Sequence, residues 1–231
     1  MNPIRSLAII ALIASLLQGW ARAAEMLYIV KVDYSEAPEC KEFAEKSEKL
    51  ANEWYPKINE ILFGKGHPLP VKFVNIKFQH MKGVAHTTND GIHISAEWIA
   101  KQPNDYGMVI HELTHVVQAY GGGGEGWVTE GIADYIRHQY YEKDGDQLKK
   151  RVNPVKSSYH QAYTIAAAFL IWLEENKDKD LVHKLNAASH DHTYNKELFV
   201  QYCGADVDTL WKEFVDTLRK PAPAPASKPQ P

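Results

Sequence analysis

Apolar residues recur along this chain at two spacings, alternate positions early and every third or fourth position later. The change divides a short β-prone beginning from a longer helical remainder. Residues 26–32 (MLYIVKV) are β-branched and aromatic and predict a strand. Over 38–62 the apolar positions Phe43, Leu50, Trp54, Ile58 and Ile61 keep helical spacing, and Glu42 with Lys46, Glu45 with Lys49 and Glu53 with Lys57 pair on the wet side. That predicts a covering helix without chemistry of its own. A Gly- and Pro-containing turn over 64–68 ends it, and 71–78 alternates as a second strand. Residues 84–95 place two short β-prone runs around Asn89-Asp90-Gly91 and predict a hairpin. Its edge could pair with an extended peptide; an ordinary sheet hairpin is the plainer reading.

The next pattern is helical, over about 104–120, with Val109, Ile110, Leu113, Val116, Val117 and Tyr120 as its apolar stripe. Four consecutive glycines, Gly121 to Gly124, stop it and permit a reversal. A helix over 127–141 follows, with Val128, Ile132, Tyr135 and Ile136 inward and Glu130 and Asp134 four apart on another face. Beyond a polar stretch at 142–151, residues 159–175 predict a helix whose Ile165, Ala166, Phe169, Leu170, Trp172 and Leu173 are core. Shorter helices are expected over 179–188, 195–202 and 206–219. The fold class is therefore α+β: a small N-terminal mixed sheet with a covering helix, then a mainly helical C-terminal half. One domain over 24–220 suits this length. Residues 221–231 alternate Pro with Ala, Ser, Lys and Gln and read as an extended or disordered tail.

Charge and the first residues change the picture in one respect, the compartment. A formal charge of −3 and a pI near 6.4 leave no basic footprint for nucleic acid or an anionic membrane. Arg5, an apolar run at 7–17 too short to span a bilayer, and Ala21-Arg22-Ala23 have the form of a removed signal peptide over 1–23. An uncleaved anchor would need a longer run. The mature protein is then secreted or periplasmic, with no stable membrane insertion. Cys40 and Cys203 could form one disulfide in an oxidising compartment or remain two buried thiols.

The chemistry lies within the 104–120 helix, at His111-Glu112-Leu113-Thr114-His115. Two imidazoles four apart share a helix face and can grip one zinc ion, while the carboxylate between them can take a proton from a metal-bound water. Catalytic zinc takes three protein ligands and leaves one position open. Glu130 is the choice for the third ligand, because the glycine reversal folds its helix back and Gly131 allows close helix approach. Asp134, one turn on, would accept the free ring N–H of a zinc-bound histidine and fix its tautomer. Glu112 would act as general base and later as acid toward the leaving amine. A further donor to the developing oxyanion is sought in Tyr163, Tyr159 and His160, in that order. The other histidines, His86, His93, His138, His183, His190 and His192, have no partners at metal spacing and read as exposed or hydrogen-bonded; His190 and His192 could take adventitious metal.

Val109-Ile-His-Glu-Leu-Thr-His-Val-Val-Gln118, Gly126-Trp-Val-Thr-Glu-Gly-Ile-Ala-Asp-Tyr-Ile-Arg137 and Tyr163-Thr-Ile-Ala-Ala-Ala-Phe-Leu-Ile-Trp172 together resemble the basic secretory protein family, zinc peptidases of plants and bacteria. The resemblance spans roughly residues 27–218. Glu130-x-x-x-Asp134 is also similar to the zincins that use a glutamate as third ligand, of the thermolysin type. It implies a zincin-like fold, one catalytic Zn2+ on His111, His115 and Glu130, Asp134 behind them, and a peptide or protein as substrate. Two departures stand out: the chain is acidic, and the interval from His115 to Glu130 is shorter than in thermolysin-like enzymes. A rival from another class is a catalytically silent, zinc-stabilised extracellular binding protein; a third reading is hydrolysis of a non-peptide amide.

Overall fold

A computed structural model describes residues 28–219. The expected signal peptide at 1–23 and tail at 221–231 lie outside the described residues. Four strands form one mixed sheet: β1 (Ile29–Asp33), β2 (Phe73–Gln79), β3 (Ala85–Thr88) and β4 (Gly91–Ser95), in the order β1-β2-β4-β3. β1 runs parallel to β2 and β2 parallel to β4, while β3 returns antiparallel along β4 as the expected hairpin. Alternation decides the faces: Val30, Val74, Ile76, Phe78, Ile92 and Ile94 are buried, whereas Ile29 and Phe73 are exposed. At the hairpin turn Gly91 has φ +137°, and a Cβ there would sit 2.4 Å from the Asn75 carbonyl of β2. Only glycine allows that approach.

The buried sheet face is covered by α1 (Lys41–Phe63) and α3 (Gly107–Gln118), with the short α2 (Ala96–Lys101) between β4 and α3. α1 is the covering helix expected, sinking Phe43, Ala51, Tyr55, Ile58 and Leu62. The helix bearing both motif histidines is shorter than its pattern. It starts at Gly107, where Asp105 accepts from the Met108 N–H, and ends where Ala119 turns left-handed at φ +44°. The reversal through Gly121 and Gly122, both at positive φ, leads into α4 (Gly126–Tyr135).

The helix expected over 127–141 changes register partway: after Tyr135 the backbone continues as a π-helical turn, Ile136–Tyr141. A short α5 (Gly145–Leu148) follows. The helix expected over 159–175 is broken in two. Tyr159–Gln161 is a 3-10 turn capped by Ser158, then Ala162 and Tyr163 both take positive φ, and α6 (Tyr163–Asn176) begins afresh. α6 is the central helix of this half; every residue from Ala166 to Leu173 is buried, so its neighbours surround it. Those neighbours include α4, α7 (Leu181–His190) and α9 (Val207–Arg219), and α9 also meets α8 (Glu197–Cys203). Trp127, Tyr159, Phe169, Phe199, Trp211 and Phe214 interlock as an aromatic cluster, and one continuous core runs from Val30 to Phe214. Cys40 and Cys203 are free thiols, so the disulfide alternative does not hold. Among the described residues no helix is long and apolar enough to cross a membrane.

Candidate active site

α3 and α4 meet at an open cleft of about 990 Å³, whose walls include β3 on one side and Tyr163 on the other. That size lies at the upper end for a small-molecule pocket and suits several residues of extended peptide. On its floor His111 and His115, one helical turn apart, bring their Nε2 atoms to 3.1 Å from each other. Glu130 of α4 places Oε2 3.1 Å from His111 Nε2 and 3.4 Å from His115 Nε2. One ligand atom from each of the three residues thus lies within 4.8 Å of the others.

The opposite ring nitrogens are tied down. His111 Nδ1–H donates to Asp134 Oδ1 at 2.7 Å, and Asp134 Oδ2 accepts from the Thr164 hydroxyl of α6 at 3.0 Å. His115 Nδ1–H donates to Gln118 Oε1 at 2.7 Å, while the Gln118 amide donates to the Thr129 carbonyl at 3.0 Å. With both Nδ1 protons so committed, both Nε2 lone pairs face one point beside a carboxylate. Two imidazole lone pairs and an anion converging in a buried site repel one another unless a cation sits between them, so this donor set fits a divalent metal of the zinc type. Without one, a proton takes that place. Burial opposes charging His111, but its bonds to Asp134 and Glu130 outweigh burial and raise its pKa to about 9. Burial likewise opposes ionising Glu130, and the two histidines bring it down to about 2.

Over residues 36–214 the sequence matches the family model described as "Peptidase of plants and bacteria". The chain belongs to that family. No curated protein is significantly similar to it. Among solved structures, a mutant of a two-domain M1 zinc metallopeptidase bound to L-arginine is similar at 11% identity and a TM-score of 0.47, over 78% of this chain and 46% of that one. An M1 zinc metallopeptidase from Deinococcus radiodurans is similar at 16% identity and a TM-score of 0.46, over the same shares. This chain therefore spans about half the length of each.

Within the family's matched region, the residues singled out from sequence do not all meet. His111, Glu112, His115, Glu130 and Asp134 converge. Tyr163 joins them at the rim: its ring stacks over His111 at 5.9 Å between centroids and is 54% exposed, leaving the phenol free toward the cleft. The nearby Glu130 carboxylate, then burial and Glu112, raise its pKa, which keeps the phenol protonated. Ala162 (φ +57°, ψ −160°) and Tyr163 (φ +48°) both occupy backbone regions unfavourable to a side chain, and such strain concentrates at functional sites. Tyr159 is a correction. Its hydroxyl donates to Asp208 at 2.7 Å within the aromatic cluster and does not reach the cleft, and His160 points to solvent. The break at Ala162 is the reason, because it removes Tyr159 from the helix that carries Tyr163.

Gly131 is also corrected in its partner. It does allow close helix approach, but to α6: a Cβ there would lie 2.8 Å from Ala166 Cβ. His138, expected to lack partners at metal spacing, has two, one of them Glu142 four residues on. Its Nδ1 lies 2.7 Å from Asp144 and 3.1 Å from Glu142, a second set of possible ligands, brought together by the π-helical turn. Glu142 also accepts from Arg137, which Asp105 holds from its other side, so one carboxylate of this set already has a resident cation. Gln118 and Thr164 are among the site residues that sequence reasoning missed. Gln118, three residues after His115 on the same helix, carried a usable spacing signal; Thr164 carried none.

Proposed function

We propose that this chain is an exported zinc-dependent peptidase in which His111, His115 and Glu130 hold the metal and Glu112 transfers protons. The observation that carries the reading is the convergence of His111 Nε2, His115 Nε2 and Glu130 Oε2 with both Nδ1 atoms pinned by Asp134 and Gln118. Zinc bound there would supply Lewis acidity, polarising a carbonyl oxygen and easing the ionisation of water. Glu112 lies on the same helix as the two histidines, 6% exposed at the cleft floor, where its carboxylate can take the proton of an attacking water and return it to the leaving amine. Tyr163, with a protonated phenol over His111, is the donor available to the developing oxyanion. The outer edge of β3, which pairs with no strand among the described residues, lies beside the cleft and suits an extended peptide, which would add as a further strand.

The decisive experiment is Glu112→Gln on the mature domain. The variant is expected to bind zinc stoichiometrically and to lose cleavage of a casein-type substrate by at least about 10²-fold. A variant as active as wild type removes Glu112 as base. Stoichiometric zinc in a wild type that cleaves nothing in a peptide library favours the silent binding protein instead; cleavage of amide-bearing glycans alone favours the amidohydrolase.

A further inference from the structure

β3 contributes a side chain to the same site. Alternation on the strand sends His86 and Thr88 to the exposed sheet face and turns Thr87 toward α3. Thr87 Oγ1 lies 2.7 Å from Glu112 Oε2 and 3.0 Å from the Glu112 backbone carbonyl. A hydroxyl carries one proton, and the nearer, anionic acceptor takes it. The backbone carbonyl already has its helical partner. We propose that Thr87 is a positioning residue: it holds Glu112 by Oε2, so that Oε1 alone is left to exchange protons with water and the leaving group.

This rests on Glu112 being the base, and it adds a physical reason for the hairpin's place beside α3. Glu112 has three rotatable side-chain bonds, and carboxylate proton transfer needs heavy atoms about 2.6–3.2 Å apart. Any rotamer that swings the carboxylate out of that range is unproductive. Thr87 removes those rotamers. Because the donor sits on the strand whose edge would pair with a peptide, substrate and base are registered by one piece of backbone. The β-branched Thr suits this, since its χ1 is restricted and its hydroxyl is aimed without a second flexible side chain.

Thr87→Val keeps the shape and the strand preference and removes only the donor; Thr87→Ser keeps the donor and removes the methyl. Thr87→Val is expected to lower kcat by about 10- to 100-fold, with KM and zinc stoichiometry unchanged. Thr87→Ser should stay close to wild type. A readout independent of turnover is the Glu112 side-chain carboxyl 13C resonance of the metal-free protein, which should move in Thr87→Val and stay in Thr87→Ser. Wild-type kcat and an unmoved resonance in Thr87→Val would overturn the proposal. So would a Thr87→Ser variant as impaired as Thr87→Val, since the methyl would then carry the effect. If wild type cleaves no peptide, the peptidase reading fails by itself, and the resonance still decides whether Thr87 anchors Glu112.

Discussion

Asp134 offers the sharpest quantitative test of the proposed metal site, because it is buried and bonds directly to His111 Nδ1. It is 5% exposed, accepts the His111 Nδ1–H at 2.7 Å, and is itself held by Thr164. Asp134→Asn preserves shape and can still accept from Nδ1–H, but turns a charge-assisted bond of about 1.5–3 kcal/mol into a neutral one of about 0.5–1.5. The difference between the midpoints, about 1.2 kcal/mol, is roughly an eightfold loss of zinc affinity. Asp134→Ala removes the acceptor and leaves a buried N–H unpaired, costing about 2–4 kcal/mol, or about 30- to 1,000-fold. It also frees His111 to adopt the tautomer that points a proton at the metal. Competition against a fluorescent zinc chelator at neutral pH measures both variants. The expected order is wild type, then Asn, then Ala. Equal affinity of Asp134→Ala and wild type would refute the orienting role, and an Asn variant weaker than Ala would show that charge and geometry are wrongly apportioned here.

Three further outcomes follow from packing and charge. Gly131→Ala pushes a methyl to 2.8 Å from Ala166 Cβ and should force α4 from α6, lowering Tm by about 2–8 °C in thermal unfolding despite the better helix propensity of Ala. Ala162→Gly relieves a backbone conformation that favours glycine and should raise Tm by about 2–4 °C, a gain of roughly 1 kcal/mol; an unchanged or lower Tm would argue against strain there. His138 is opposed in charging by burial, yet its bonds to Glu142 and Asp144 raise its pKa above the ordinary 6.5. A pKa raised on folding stabilises fully below about pH 6.5 and is lost as pH rises through the folded value. The Tm difference between wild type and His138→Gln should therefore be largest at acid pH and shrink toward alkaline pH; a constant difference would mean that packing alone is lost.

Much of the site was legible because its chemistry is local. Two histidines four apart with a glutamate between them share a helix face by the geometry of the helix alone, and α3 realises it. Glu130 and Asp134, also four apart, share a face of α4 for the same reason, and a glycine run that ends one helix makes an antiparallel return of the next a short step. The hairpin, α1 and the buried α6 follow from alternation, helical spacing and an apolar run respectively.

What the tertiary structure decided is everything that depends on distant segments meeting. The periodicity of 159–175 reads straight through Ala162, because side-chain pattern does not report φ; only the packed fold shows that the helix restarts there, sending Tyr163 to the cleft and Tyr159 into the core. His138 stands four residues before Glu142, a spacing present in the sequence, but Asp144, six residues on across the π-helical turn, joins that pair only in the fold. Thr87, Thr164 and the real neighbour of Gly131 come from strands and helices remote in sequence, aligned by the burial of a shared core. Sequence by itself determined which groups could do the chemistry, since that is a matter of residue type and helical spacing. The fold alone decided which of them touch, because hydrogen bonds reach about 3 Å and the chain brings distant residues that close only by packing.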